Sequence, residues 1–309
     1  MQEFRMRNRI DPEVAAAMEG KMMTEADVSV KLIGPSRVIG PDGEPLAIYL
    51  SGAIGPELVE EIYLILHALK GTYTSNRGYA VGTPIRAVSN PEWKTATGVR
   101  KRSYAKKVDS AIIGAWEASG PKQYCRLTAW SGREVEQWRG LWPLFERIAT
   151  CLKEQVPERY AAQARVAERT SPDWVIPGTP FTTITVNNTY PTAVHTDKGD
   201  LETGFSTLTV FRRGEFSGGW LCMPQYRLGV DMQEGDLLLM DAHQWHGNTP
   251  FDPMPHYNEL GTMVGDPGFE RISVVSYFRT KMQDCGDAAT EAERRRINTE
   301  TRNAALIGE

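Results

Sequence analysis

Apolar positions along this chain follow two different periods, and the change between them falls near Trp174. Ahead of that point the spacing is helical. Asp11 as a cap, Pro12 in a first turn and Gly20 as a stop predict a short helix over 13–19. A stronger helix is predicted over 57–70, where Leu58, Ile62, Ile65, Leu66 and Leu69 recur on one face between Gly55-Pro56 and Gly71. His67 lies on this helix and reads as a surface or structural histidine. A further helical region over 133–154 should bend or restart near Pro143, and another covers 158–168. Two short strand-like runs, 30–33 and 46–50, interrupt this half.

After Trp174 the grammar is that of strands and turns. Strands are predicted over 181–188, 205–212, 220–226, 236–241 and 271–279. Between them stand turn signals such as Gly199-Asp200, Arg213-Gly214, Ser217-Gly218-Gly219 and Glu234-Gly235-Asp236. Helices first and antiparallel-looking strands afterwards predict an α+β chain: a double-stranded β-helix (jelly roll) with the N-terminal helices packed outside. The expected division is an N-terminal extension over 1–45, a main domain over 46–282 with its β core from about residue 174, and a polar, helix-prone tail over 283–309 that is only loosely attached.

Composition narrows the setting. The chain has 309 residues, 41% hydrophobic and 24% charged, as is ordinary for a soluble globular protein. No apolar run approaches the roughly 20 residues of a membrane span, and the first nine residues lack the apolar core of a signal peptide. Cys125, Cys151, Cys222 and Cys285 lie far apart without a Cys-x-x-Cys, so neither a zinc module nor a disulfide framework is expected. These features predict an intracellular, cytoplasmic monomer. Net charge is −4, from 35 basic and 39 acidic residues, which does not announce a nucleic-acid binder. Locally the balance differs: Lys94, Arg100, Lys101, Arg102, Lys106 and Lys107 fall between Trp93 and Val108 with no acid among them. Such a segment can neutralise DNA phosphates, or be a solvated basic loop.

The chemistry sits in the strand half. His195-Thr196-Asp197 places two metal-ligating side chains on one face of an extended segment. His246, beside Gly247 where the chain can turn next to an ion, supplies a third; His243 competes for that role and is less favoured. Two histidines and one carboxylate occupy one face of an octahedral metal and leave the other open, the ligand set of non-haem Fe(II) oxygenases. Downstream, Arg271, Ser273, Val275, Tyr277 and Arg279 share one face of a strand, while Ile272, Val274 and Phe278 form the apolar other. An inward arginine needs a carboxylate, because an unpaired buried charge is costly. A dicarboxylate cosubstrate, 2-oxoglutarate, meets that need, with O2 taking the remaining open position.

Several segments resemble the TET/JBP group of Fe(II)- and 2-oxoglutarate-dependent DNA-base hydroxylases, and its bacteriophage branch in particular. The resemblance covers most of 49–281. It rests on Gly71-Thr72-Tyr73-Thr74-Ser75-Asn76-Arg77-Gly78, Tyr160-Ala161-Ala162-Gln163, Pro180-Phe181-Thr182-Thr183-Ile184-Thr185, His195-Thr196-Asp197 and Arg271-Ile272-Ser273-Val274-Val275-Ser276-Tyr277. It implies that His195, Asp197 and His246 hold iron. Arg271 would bind the distal carboxylate of 2-oxoglutarate, with Arg77, Ser273 and Phe181 helping to secure the cosubstrate. Tyr277 sits where the family contacts an extruded base. This chain departs from the vertebrate pattern at Asp200, where an asparagine touches the base, and at Arg279, which replaces a histidine. The cysteine-rich zinc region is missing. A phage-encoded member would work in the cytoplasm of a bacterial host.

A methyl group on a pyrimidine lies inside the duplex stack and must be flipped out to reach a recessed metal. Tyr277 can stack on the extruded ring, or can be a plain core residue, and Lys94, Arg100, Lys101 and Arg102 can hold phosphates. A carboxylate at Asp200 would accept from the cytosine amino group and repel thymine's O4. That makes 5-methylcytosine in DNA the first expected substrate and thymine the second, unless Asp200 only forms a turn after Gly199. Oxygenation of a small molecule or a protein side chain is the rival enzymatic reading; a non-enzymatic jelly-roll binding module is the rival class.

Overall fold

The computed structural model describes residues 1–74, 77–82, 106–259 and 261–304, together with the backbone alone of 88–95, 98–102 and 305–307. Two sheets face each other. The larger has ten strands, and along it run Gln2–Arg5, Ser36–Ile39, Pro45–Leu50, Leu237–Met240, Ser206–Arg213, Glu270–Tyr277, Thr183–Asn188, Val108–Trp116 and Tyr73–Thr74. Arg126–Leu127 pairs beside Val108–Trp116. The smaller sheet runs Gly247–Asn248, Leu221–Met223, Leu228–Val230 and Val30–Leu32. This is the jelly-roll core predicted from the strand spacing.

Parity along the strands decides which side chains go where. Ile272 and Val274, Ile184 and Val186, Ala111 and Ile113, and Leu237 and Leu239 point outward from the large sheet into one apolar cluster. There they meet Val59, Ile62 and Leu66 of the helix Pro56–His67 and Leu144, Phe145, Ile148 and Leu152 of Trp142–Gln155. Each fully buried valine, leucine, isoleucine or phenylalanine of this cluster contributes about 1.5–3 kcal/mol. The opposite parity faces inward. On one half of the sandwich it is apolar, with Tyr49, Leu208, Val210, Leu238 and Met240 packed on Leu221, Met223, Leu228 and Val230 of the small sheet. On the other half the inward residues are mostly polar, among them Ser110, Asn187, Thr185, Arg271, Ser273 and Tyr277, with Ile112 and Val275 between them. The outer helices thus let the sheet turn a polar half-face inward without losing its core.

Elements differ from the sequence pattern where tertiary context overrides it. The 133–154 region is three helices, Ala129–Arg133, Val135–Gly140 and Trp142–Gln155, with Pro143 in the first turn of the last. The helix capped by Asp11, whose carboxylate accepts the Glu13 amide at 2.8 Å, ends already at Ala16. The pattern predicts no element at 108–116, yet Val108–Trp116 is a nine-residue strand next to the edge of the large sheet. Both of its faces are largely covered, so alternation, the signal for a half-exposed strand, is lost.

The N-terminal 45 residues feed both sheets: Gln2–Arg5 pairs in parallel with Ser36–Ile39, and Val30–Leu32 with Leu228–Val230. The C-terminal helix Ala288–Ile307 is tied down rather than loose. Buried Glu291 accepts the amides of Cys125 and Gly286 at 2.7 and 2.8 Å. Cys125 and Cys285 form a disulfide across 160 residues, a pairing that sequence spacing does not suggest and a correction to the expectation of none. Cys151 and Cys222 are free and buried. Among the described residues no helix is long and apolar enough to cross a membrane.

Candidate active site

His195 and Asp197 lie on an extended segment that follows Thr183–Asn188, and His246 directly precedes Gly247–Asn248. Neither histidine is inside a strand. A single antiparallel bridge joins them instead, and the Asp197 amide donates to the Ala242 carbonyl at 3.0 Å. The Asp197 carboxylate stands between the two rings, 3.6 Å from Nε2 of His195 through Oδ1 and 3.6 Å from Nε2 of His246 through Oδ2. The three ligand atoms lie within 4.8 Å of one another. Two ligands each about 2.1 Å from one ion lie roughly 3 to 4 Å apart, so the trio fits a single cation with little closure.

Backbone carbonyls fix the tautomers. Nδ1–H of His195 donates to Ala193 O at 2.8 Å and that of His246 to Gln244 O at 2.8 Å, which leaves both Nε2 lone pairs turned to the carboxylate. Burial, and then the neighbouring His246, push His195 down to about 4, so its ring is neutral and ready to coordinate. Burial works against the Asp197 charge, but the His246 hydrogen bond and the two imidazoles outweigh it and hold the carboxyl well below its usual range. For His246, burial is outweighed by Asp197 and its affinity for a proton rises; a divalent cation takes the place of that proton. His243 does not compete: it sits on Asp241 at 3.2 Å, outside the trio. His67 is held by Glu270 at 2.8 Å on the helical side of the sheet.

The trio opens into a cavity of about 340 Å³ between the two sheets, lined also by Arg77, Asn187, Asp200, Arg271, Ser273, Tyr277 and Arg279. Arg271 is 3% exposed, and among the described residues no carboxylate comes within ion-pair distance of its guanidinium. Burial, and then nearby Arg212, push it down to about 9, with Asp231 only partly opposing. Asp231 is already shared by Lys31 at 3.3 Å and Arg212 at 4.0 Å. A buried cation this poorly compensated is a site for an anion. Its backbone is fixed by Thr189, whose hydroxyl accepts the Arg271 amide at 3.2 Å and whose amide donates back at 2.7 Å.

Other expected residues fall at different places. Arg77 lines the cavity and donates to Thr185 Oγ1 at 3.5 Å; Ser75 and Asn76 beside it lie outside the described residues. Tyr277 is inward and buried, with its hydroxyl 3.0 Å from Thr185 Oγ1. Asp200 is 8% exposed and its carboxylate accepts the Ser206 hydroxyl at 2.5 Å. Burial, and then Asp197, push Asp200 up to about 8. Arg279 is clamped by both oxygens of Glu117, lies 4.0 Å over the Trp116 ring, and has Gly199 close to its guanidinium. Lys94, Arg100, Lys101 and Arg102 belong to the backbone hairpin of Val88–Thr95 and Gly98–Arg102, but their side chains lie outside the described residues.

Phe181 requires a correction. It is fully buried in the cluster between sheet and helices and does not line the cavity. The strand begins only at Thr183, and Phe181 sits in the turn before it, where its amide side hydrogen-bonds to Thr179 and its carbonyl accepts from Ile176. Parity therefore does not carry back to it. Sequence reasoning in turn missed Trp116, Glu117 and Asn187. Asn187 was discoverable, because it shares parity with Thr183 and Thr185; Glu117 was not, because its partner lies 162 residues away.

A jelly roll with a two-histidine, one-carboxylate trio and an unpaired arginine in the same cavity has the architecture of an oxygenase that uses Fe(II) and 2-oxoglutarate. A family model, TET/JBP, described as the oxygenase domain of the 2OGFeDO superfamily, matches residues 117–280. The chain belongs to this family and carries its 2-oxoglutarate-dependent dioxygenase domain; the superfamily's reaction uses Fe(II), 2-oxoglutarate and O2. Among curated proteins it is 32% identical over 192 residues to thymine dioxygenase JBP1 of Trypanosoma brucei brucei, covering 61% of this chain and 21% of that protein. It is 28% identical over 242 residues to JBP1 of Leishmania braziliensis, covering 73% of this chain and 28% of that one. The chain thus spans about a fifth to somewhat over a quarter of the length of these relatives. Among solved structures, NgTET1 in complex with 5mC DNA superposes with a TM-score of 0.53 at 13% identity, covering 90% of this chain and 95% of that one, a likeness of fold.

Proposed function

We propose that this chain hydroxylates the C5-methyl group of a pyrimidine in DNA, with 5-methylcytosine as the first substrate. One observation carries the reading: the trio, the unpaired Arg271 and the polar pair Asp200 and Arg279 with Tyr277 all line one cavity. In this reading His195, Asp197 and His246 hold Fe(II), and Arg271 with Ser273 takes the distal carboxylate of 2-oxoglutarate. Arg is suited to that carboxylate because its planar fork donates two parallel hydrogen bonds. Together, metal, cosubstrate and O2 supply the oxidising power that turns a methyl C–H into a C–OH, with release of succinate and CO2.

The chain's own work is placement. Tyr277 offers an aromatic face to a base turned out of the stack, and Arg77 stands beside it over the trio. Asp200 and Arg279, whose backbones are bridged, offer an acid and a cationic donor to the base edge. An ionised Asp200 accepts from the cytosine amino group. The family likeness to JBP1 proteins named thymine dioxygenases, and the tendency of buried Asp200 to keep its proton, favour thymine as a second reading, since a protonated carboxyl donates to O4.

Parallel incubation of 5-methylcytosine and unmodified thymine duplexes with Fe(II), with and without 2-oxoglutarate, followed by nucleoside mass spectrometry, tests this. Hydroxymethylcytosine that depends on 2-oxoglutarate is the expected result. Product from thymine alone moves the substrate to the second reading. Succinate without any DNA product, unaffected by salt or DNA, overturns the DNA reading altogether.

A further inference from the structure

Three adjacent strands place one polar residue each in a single row across the inward face of the large sheet. Asn187 is in register with Ser273 on one side and with Ser110 on the other. All three are buried, Asn187 to 5% exposure. The Ser110 hydroxyl donates to Asn187 Oδ1 at 2.7 Å, and Asn187 Nδ2 donates to Ser273 Oγ at 3.4 Å. The row therefore has a direction. With Oδ1 occupied by Ser110, the amide nitrogen must face Ser273 and the cavity, and because Ser273 Oγ receives an N–H its own proton is turned away from Asn187.

The result is an excess of donors. A primary amide has two N–H groups, and only one of Asn187's is used among the described residues; the Ser273 hydroxyl proton has no acceptor there either. Both residues line the cavity that holds the unpaired Arg271 guanidinium. Buried donors without acceptors add a cost of about 1–3 kcal/mol each to that of the unpaired charge, and a carboxylate answers all of them at once because it only accepts.

We propose that Asn187 is a cosubstrate-positioning residue: it completes, with Arg271 and Ser273, a donor array that grips the distal carboxylate of 2-oxoglutarate, and Ser110 sets the direction of that array. The inference rests on the reading that Arg271 binds this carboxylate. Asn187→Asp keeps the shape of the side chain, replaces a donor by an acceptor and sets a negative charge against the carboxylate.

Calorimetric titration of 2-oxoglutarate into anaerobic, Mn(II)-loaded protein reads the affinity without turnover, and steady-state kinetics read KM and kcat separately. For Asn187→Asp the expected result is a Kd and KM for 2-oxoglutarate raised about tenfold or more, as for one lost charge-assisted hydrogen bond, with Mn(II) binding retained and kcat at saturating cosubstrate within about twofold. Ser110→Ala, a milder change that leaves the donor in place, is expected to raise Kd by about two- to threefold. An unchanged Kd in Asn187→Asp alongside a lost affinity in Arg271→Ala overturns the role of Asn187 and leaves that of Arg271 standing. Unchanged affinity in both overturns the Arg271 reading as well. A kcat that falls with an unchanged KM assigns Asn187 to folding or chemistry and equally ends the proposal.

Discussion

His195 and His246 hold each other by their backbones: each amide donates to the other's carbonyl, at 2.8 and 3.0 Å, and the rings stand 4.4 Å apart. The geometry of the proposed metal-ligand trio therefore depends on how closely two chain segments approach, and Gly247 sets that approach. A Cβ there would lie 2.8 Å from the Val194 nitrogen and 3.0 Å from the Ala193 carbon, both backbone atoms that cannot swing aside.

Gly247→Ala is accordingly expected to push the two ligand segments apart. Overpacking against backbone costs about 1–3 kcal/mol of stability, and displaced ligands weaken metal binding by roughly tenfold or more. Thermal melting of metal-free protein and a competition titration with Fe(II) or Mn(II) check the two effects. Unaltered metal affinity would show that the bridge does not set the ligand geometry.

In its proposed role, Arg271 pits stability against function. Its cation is buried without a partner, so Arg271→Met should stabilise protein free of 2-oxoglutarate by about 1–3 kcal/mol, a rise of a few degrees in Tm. In the parent protein, 2-oxoglutarate at a hundred times its Kd should add about 2.7 kcal/mol, and in the variant nothing. Melting curves with and without the diacid separate the outcomes; a variant that melts lower and still responds to the diacid would show that the charge is compensated from elsewhere.

The ligand trio and the arginine strand were legible because their information is local. His195 and Asp197 are two apart in extended chain, and the alternation from Arg271 to Tyr277 survives in the structure as one polar and one apolar face. What failed was information held between distant segments. Val108–Trp116 is covered on both sides and so shows no alternation, and it carries the sheet on to Trp116 at the cavity wall, next to Glu117 and its distant partner Arg279. The Cys125–Cys285 bond joins positions 160 apart, and neither cysteine is marked by its neighbours. Phe181 failed for a different reason: its role was implied by the resemblance alone, and the strand predicted over 181–188 begins only at Thr183, which leaves Phe181 free to turn into the apolar cluster.

Asp200 gives a pH signature in metal-free protein. Its folded-state affinity for a proton is raised to about 8, whereas an unfolded aspartate titrates near 4. Between those values the folded state binds more protons than the unfolded one, so stability falls as pH rises through the window. Asp200→Asn cannot titrate and should flatten that part of the profile, with the largest gain over the parent near pH 8. Chemical denaturation at pH 5, 6.5 and 8 measures it. A parent profile that already matches the variant's would mean that Asp200 is ionised throughout.

Glu117 and Arg279 make a largely buried ion pair; Arg279 lines the cavity, with its guanidinium 4.0 Å over the Trp116 ring and close to Gly199. Removing either partner alone strands the other's charge. Glu117→Leu and Arg279→Met are each expected to cost about 3–5 kcal/mol, as for other broken buried pairs. The double substitution removes both charges and should recover most of that loss, so the two effects are strongly non-additive. A double-mutant cycle by denaturant unfolding gives the coupling directly. If the single losses simply add, Glu117 does not hold Arg279 in place, and the wall of the cavity is set by Trp116 and Gly199 instead.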